Sequence, residues 1–384
     1  MPQPILLRGA KQLLTLHGPA GARRGAALED LSAIEDGAVL ICDGKIAHVG
    51  MTRRIENLKE ARDALDIAVH GRVVMPAFCD PGLNLGLEPA GEMKRRKRPA
   101  ELSAEAQQLM RACRHHGTLT AAWKASADAA DFHADLAVLR QLARIAEESR
   151  EIVQTWRVGF GRGERDFLEV LEAIARRKLA DSVEIEAIPG SPLGEDIFRA
   201  IDDSGLGRKL SWPGGSPDAL SRILGRFHPQ SVFCPQPLVG HECRVLAGSA
   251  AVAVFSPGEH ALEGGEANSA RAVADAGGAI ALSSGYDSRH TLSFSMQMVV
   301  ALAVFRLRLS AEEAIAAATI NAAYARGCGE TAGSLECGKR ANVLVLDISD
   351  YRDLPRQFGV NHVAIAIRDG AVAFSRNRWK AGAA

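Results

Sequence analysis

Aromatic residues are scarce, 5% of 384 residues, with only three tyrosines. A surface rich in rings for stacking on nucleobases is therefore not expected. Net charge is lacking too, since 46 basic residues balance 46 acidic ones. Proteins that coat nucleic acid carry a basic excess, so that partner class is set aside. No Cys-x-x-Cys pair occurs among the seven cysteines, Cys42, Cys79, Cys113, Cys234, Cys243, Cys328 and Cys337. Their odd number and spacing read as reduced thiols and not as a disulfide framework. Long apolar runs are missing as well. The strongest, Met298–Phe305, falls far short of the ~18 residues a membrane helix needs. Near the start, Arg8 ends the apolar run before it reaches signal-peptide length. A cytoplasmic protein with no membrane or nucleic-acid partner is expected.

What is present is ordinary for a folded chain: 47% hydrophobic and 24% charged residues. At ~150 residues per domain, the length suits two to three domains or one large barrel with an appendage. The two ends carry the same device. Ala38–Val49 is two β-rich runs around Asp43-Gly44, and Val363–Phe374 repeats this around Asp369-Gly370. Asp-Gly suits a tight hairpin because glycine accepts positive φ. With a further strand over Ala341–Asp347, both ends read as parts of one small β domain.

The middle alternates strand and helix patterns. Strands are expected at Thr118–Trp123, Ile152–Trp156, Val183–Ile188, Val232–Cys234, Ala250–Phe255 and Ala279–Leu282. Helices are expected over Ser103–His116, Asp135–Ser149, from Phe167 onward, and after Ser216-Pro217, a cap followed by proline. Ser310-Ala-Glu-Glu313 reads as a capping box whose helix closes at Gly327. Such alternation over the middle of the chain points to a (β/α)8 barrel. The expected division is a composite β-sandwich from residues 1–74 plus 336–384, and a barrel over 75–335.

Several stretches resemble one family. Leu309–Ala314, Ala318-Thr-Ile-Asn-Ala-Ala323, Gly333–Glu336, Gly338-Lys339 and Ala341–Asp347 are similar to the amidohydrolase superfamily. Asp350-Tyr351, Leu354-Pro355 and Phe358–Asn361 resemble imidazolonepropionases in particular, and Ile34–Gly50 resembles their first hairpin. The resemblance implies a metal-dependent (β/α)8 barrel with a β-sandwich, and hydrolysis of a cyclic amide. In such a site a zinc or iron ion held by His and Asp polarises the scissile carbonyl and acidifies bound water.

Set against the family's motifs, the ligand positions are substituted. The first motif, Asp-Pro-His-Thr-His-Leu, stands here as Asp80-Pro81-Gly82-Leu83-Asn84-Leu85. The strand-five histidine falls on Ser211, the strand-six histidine on Cys234, and the strand-eight aspartate on Gly285. A further family histidine corresponds to Phe160. Lys124 stands where imidazolonepropionases also have lysine. With Phe160, Trp212, Tyr286, Asp287, Arg289 and His290 it makes up the candidate pocket wall. His115-His116 reads as a helix end, where the dipole favours cations, and His228, His241 and His260 show no ligand spacing. The basic run Lys94–Arg98 reads as a solvated loop or an anion patch.

The leading expectation is an imidazolonepropionase-like homologue without its metal centre. It would be a pseudoenzyme that binds a small polar ligand, or pairs as a homodimer or with an active paralogue. No cofactor is expected in that case, and no residue is assigned as catalytic. The alternative is an active hydrolase of a cyclic amide or another non-peptide C–N bond. It would use a relocated metal or metal-free chemistry through Lys124, Cys234, Asp287 or His290. A metal-free isomerase or lyase on the same barrel is a third reading.

Overall fold

Two tight turns organise the sheet built from the chain's ends. The computed structural model describes residues 3–84, 99–125, 136, 139–145, 152–159, 164–187, 194–258, 269–287 and 293–376. Strands β1 (Ile5–Leu14), β2 (Ala33–Cys42), β3 (Lys45–Met51), β4 (Leu65–Ala68) and β5 (Val73–Pro76) come from the N-terminal part. Strands β14 (Val343–Leu346), β15 (Val363–Arg368) and β16 (Ala371–Ser375) come from the C-terminal part. They form one sheet in the order β16-β15-β14-β5-β1-β2-β3, with β4 also paired to β1. The halves meet where β5 pairs antiparallel with β14, Val74 opposite Val345.

Both Asp-Gly turns have positive φ at both residues: Asp43 at 50° and Gly44 at 76°, Asp369 at 47° and Gly370 at 75°. That is the primed turn geometry that matches the twist of a hairpin. The two tips also abut. A Cβ at Gly370 would lie 2.9 Å from the Gly44 Cα, and one at Gly44 would lie 3.0 Å from the Asp369 carbonyl oxygen. Glycine is needed there for closeness as well as for φ. Arg340 locks the joint by donating to both Asp369 carboxylate oxygens.

The middle of the chain forms a (β/α)8 barrel. Its strands are β6 (Phe78–Asn84), β7 (Thr118–Ala125), β8 (Ile152–Gly159), β9 (Ser182–Glu186), β10 (Gly207–Ser211), β11 (Ser231–Phe233), β12 (Val252–Phe255) and β13 (Ala279–Leu282). They run parallel in sequential order from β6 to β13. Side chains and loop backbone join the last strand to the first. Ser283 Oγ donates to Asp80 Oδ1 at 2.9 Å and to the Gly82 carbonyl at 3.1 Å, and Ser284 N–H donates to Asp80 Oδ1 at 3.2 Å. Asp80 is fully buried, and that burial raises its carboxyl pKa against the pull of these bonds.

The helix patterns hold with one change. The first barrel helix spans Pro99–His115, and Gly117, at φ 88°, turns the chain out of it. Ser216 accepts from the Ala219 N–H ahead of Pro217–Phe227. The Ser310–Glu313 capping box forms in both directions. Its helix does not run through to Gly327, however. Thr319, at φ −123° and ψ −92°, divides it into Ala311–Ala318 and Ile320–Arg326. The Thr319 hydroxyl donates back to the Ile315 carbonyl, a bond that competes with helix continuation. After the break, Asn321 is fully buried and pins the N-terminal segment to the barrel. Its amide donates to the Arg23 and Ile280 carbonyls and its oxygen accepts from the Arg23 N–H.

The expected strand Val183–Ile188 is described as far as Ala187, and Asp135–Ser149 lies partly outside the described residues. Among the described residues no helix is long and apolar enough to cross a membrane. Three buried bonds at ~1 kcal/mol each give the Asn321 stitch a value of about 3 kcal/mol. Asn321→Ala should lower unfolding stability by about that amount in urea denaturation followed by circular dichroism.

Candidate functional site

The C-terminal strand ends are where barrels of this kind carry chemistry. Here they enclose a cavity of about 50 Å³ lined by Gly82, Lys124, Ser211, Phe233, Cys234, Pro235, Val254, Ser256, Ser283 and Gly285. Four of the residues expected at family ligand positions, Gly82, Ser211, Cys234 and Gly285, thus meet in one cavity. The side chain of Asn84, Phe160, Arg289, His290, His260 and the run Lys94–Arg98 lie outside the described residues. A larger cavity, about 790 Å³, lies at the opposite end, around Asp202, Arg208, Arg226 and Arg326. Its charged wall is engaged in ion pairs, Arg208 and Arg226 both meeting Asp202.

Lys124 dominates the small cavity. It is 5% exposed, and its Nζ lies 3.0 and 2.8 Å from the two oxygens of the fully buried Glu184. The same ammonium sits 2.9 Å from the centre of the Phe233 ring. A carboxylate on one side and a π face on the other stabilise a cation that burial would otherwise disfavour. Lys209 stands beside Glu184 in the β9–β10 register and is fully buried as well. Burial lowers its pKa to about 8; Glu184 opposes the shift, while Lys124 and Arg326 push further down.

These groups do not fit a divalent metal. Among the described residues no group of three or more His, Cys, Asp or Glu is placed to hold an ion. A Cβ on Gly82 would meet Phe233 Cε1 at 2.9 Å, Lys124 Cε at 3.1 Å and Ser283 Oγ at 3.1 Å. The room a histidine would need is taken by the ammonium stem and the ring. Cys234 is buried, its thiol pKa raised by burial, and its S–H points to the Val232 carbonyl at 3.6 Å. It is a poor thiolate donor in that setting.

Three expected wall residues face elsewhere. Alternation along β10 sends Ser211 inward and Trp212 outward. The Trp212 ring is buried in the helix layer and donates Nε1–H to Glu242 at 2.7 Å. Tyr286 is half-buried and packs with the cluster around Leu109 and Cys113 beside the first barrel helix. Asp287 is buried but is not among the cavity's lining residues. His115 and His116 are more than a free helix end. Asn361 donates to the His115 carbonyl, Gln297 donates to the His116 carbonyl, and His116 packs edge-on against Phe294. His228 caps a helix in left-handed conformation, and His241 meets Arg244 on the surface.

The sequence reading passed over Glu184, Lys209, Phe233, Ser256 and Ser283. A signal existed for two of them. Glu184 between Val183 and Ile185, and Lys209 two residues before Ser211, put charge at alternate strand positions that the barrel turns inward.

Gly82→His should cost about 1–3 kcal/mol in chemical denaturation, as overpacking does, and should add no zinc binding in titration. A second measurement concerns Lys209. Between pH 8 and 10.5 the unfolded chain keeps a proton that the folded protein has released, so stability rises with pH. From pH 8 to pH 10, unfolding free energy should rise by roughly 2–3 kcal/mol more in the natural protein than in Lys209→Met.

Comparison with known proteins agrees with this architecture. Residues 249–373 match the model of the amidohydrolase family. The chain is 26% identical to imidazolonepropionase of Bacillus velezensis, over 98% of this chain and 99% of that protein. It is 29% identical to imidazolonepropionase of Deinococcus radiodurans, over 95% and 98%. Among solved structures, A. niger ochratoxinase superposes with a TM-score of 0.73 at 15% identity, covering 97% of this chain and 96% of that one. E. coli guanine deaminase gives 0.67 at 14%, covering 98% and 100%. The paired terminal sheet, the parallel barrel and these full-length likenesses place the chain in the amidohydrolase superfamily, as a relative of the imidazolonepropionases.

Proposed function

We propose that this protein is a hydrolase that opens a small cyclic amide, or a related non-peptide C–N bond, without a metal. The observation that carries the reading is the ammonium of Lys124, buried at the strand ends where the barrel's chemistry belongs. Full-length likeness to imidazolonepropionases supports the reaction class. The amide carbonyl oxygen docks on Lys124 Nζ. A fixed cation in a water-poor cavity stabilises the negative charge that grows on that oxygen as water adds to the carbonyl carbon. Collapse breaks the C–N bond and yields a carboxylate and an amine. The proton that the attacking water gives up goes in turn to the departing nitrogen, so the step consumes one water and leaves the protein unchanged; no described lining residue is assigned as the base. All seven cysteines are unbridged, which supports a cytoplasmic setting.

A second reading has its own observation. Gly285 stands at the proton-accepting position, and no carboxylate or imidazole lines the described cavity. On that reading the same pocket binds a small polar ligand, and the chain serves as a non-catalytic subunit, alone or with an active paralogue.

The test combines metal analysis of untagged protein with ring-opening assays on imidazolones, hydantoins and small lactams. Expected are well under ~0.2 metal ions per chain and turnover unchanged by a chelator. Lys124→Met should lower kcat/KM about 100-fold or more. One tightly held metal per chain would overturn the metal-free reading. Saturable ligand binding with no turnover would assign the protein to the second reading.

A further inference from the structure

We propose that the inner end of this cavity is a site for a small carboxylate, held by Lys124 Nζ and the hydroxyls of Ser211 and Ser256. Ser211 is 2% exposed and Ser256 7%, and both line the cavity. Neither hydroxyl has a hydrogen-bond partner among the described residues, whereas Ser283 beside them is bound to Asp80 and to the Gly82 carbonyl. Neither oxygen is among the polar atoms shut away from solvent without a partner, so both hydroxyls open onto the cavity and can donate to a guest that brings oxygen atoms.

The sign of that guest follows from the surrounding charge. Lys124, Lys209 and Arg326 are buried cations in and beneath the barrel, and Glu184 is the carboxylate that meets Lys124. Asp80 lies behind Ser283, where its Oδ1 accepts from Ser283, Ser284 and Gly82. Among the described residues the lining carries an ammonium and hydroxyls and no carboxylate. A cation would meet Lys124 head-on, while a carboxylate gains from the charge and can accept from each donor. The size agrees. A cavity of about 50 Å³ takes a group of a few non-hydrogen atoms, since about 10–15 Å³ on that scale takes one water.

The site deepens the hydrolytic reading and, in one respect, rests on it. Opening a cyclic amide turns the carbonyl docked on Lys124 into a carboxylate in the same place. The product is then held by the groups that received the substrate, and small carboxylates compete with it.

Formate is the probe, titrated calorimetrically in chloride-free buffer. Expected is saturable binding of one formate per chain. Ser211→Ala and Ser256→Ala should each weaken it about tenfold, and the double variant about a hundredfold. Thermal stability without formate should stay level in these variants, because each hydroxyl opens onto the cavity and holds no bond within the protein. Lys124→Met should abolish binding. Absence of saturable binding, or equal binding by the double serine variant, would overturn the proposal. Formate binding without amide hydrolysis would leave the site standing and remove the hydrolytic reading alone. Hydrolysis without formate binding would do the reverse.

Discussion

A positive charge buried inside a barrel constrains everything around it. Lys124 on β7 and Glu184 on β9 reach each other across β8, so three neighbouring strands are tied to one ion pair. Phe233, from β11 on the far side, closes over the ammonium. That arrangement leaves no volume at position 82 and explains glycine there. It also places Lys209 next to the same carboxylate, where one acid faces two amines. Breaking such a pair exposes the partner's charge to a medium that cannot solvate it, a cost of several kcal/mol. The cavity's chemistry and the barrel's stability are thus governed by the same few atoms.

Several small residues around the cavity fit together with that ammonium. Gly82 makes room for the Lys124 stem and the Phe233 ring. Ser211 and Ser256 are small and neutral, so they leave space above the ammonium. Gly285, at φ 60°, lets the chain turn away from the cavity just after Ser283 and Ser284 have bound Asp80. At position 82 the Lys124 stem and the Phe233 ring occupy the space that a histidine side chain would need.

Much of the fold was readable because its signals are local. The Asp-Gly turns, the Ser216-Pro217 cap and the Ser310–Glu313 box each depend on residues within a few positions of one another. The alternation of strands and helices gave the barrel for the same reason. What was not readable depends on contacts between distant residues. Thr319 breaks a helix whose pattern continues through it, in a place where Asn321 meets Arg23 and Ile280. Trp212 looked like a wall residue because it adjoins a ligand position. Strand alternation turns it outward to Glu242. Glu184 and Lys209 left a trace, charge at alternate strand positions, but a charged residue in a strand is ordinarily on its solvated side, and only barrel closure makes that side an interior.

The abutting hairpin tips reach beyond the finished structure. Gly44 lies against Asp369 and Gly370, and β5 finds its partner only in β14, with the whole barrel sequence between them. During synthesis the first five strands therefore emerge with one sheet edge unpaired, and they wait while the barrel is made. An open edge of apolar strands is a template for wrong partners, and long-range pairings of this kind form slowly. The nascent chain is most vulnerable in that interval. An unpaired edge of this kind makes a partly made chain prone to aggregation, the hazard that chaperones counter.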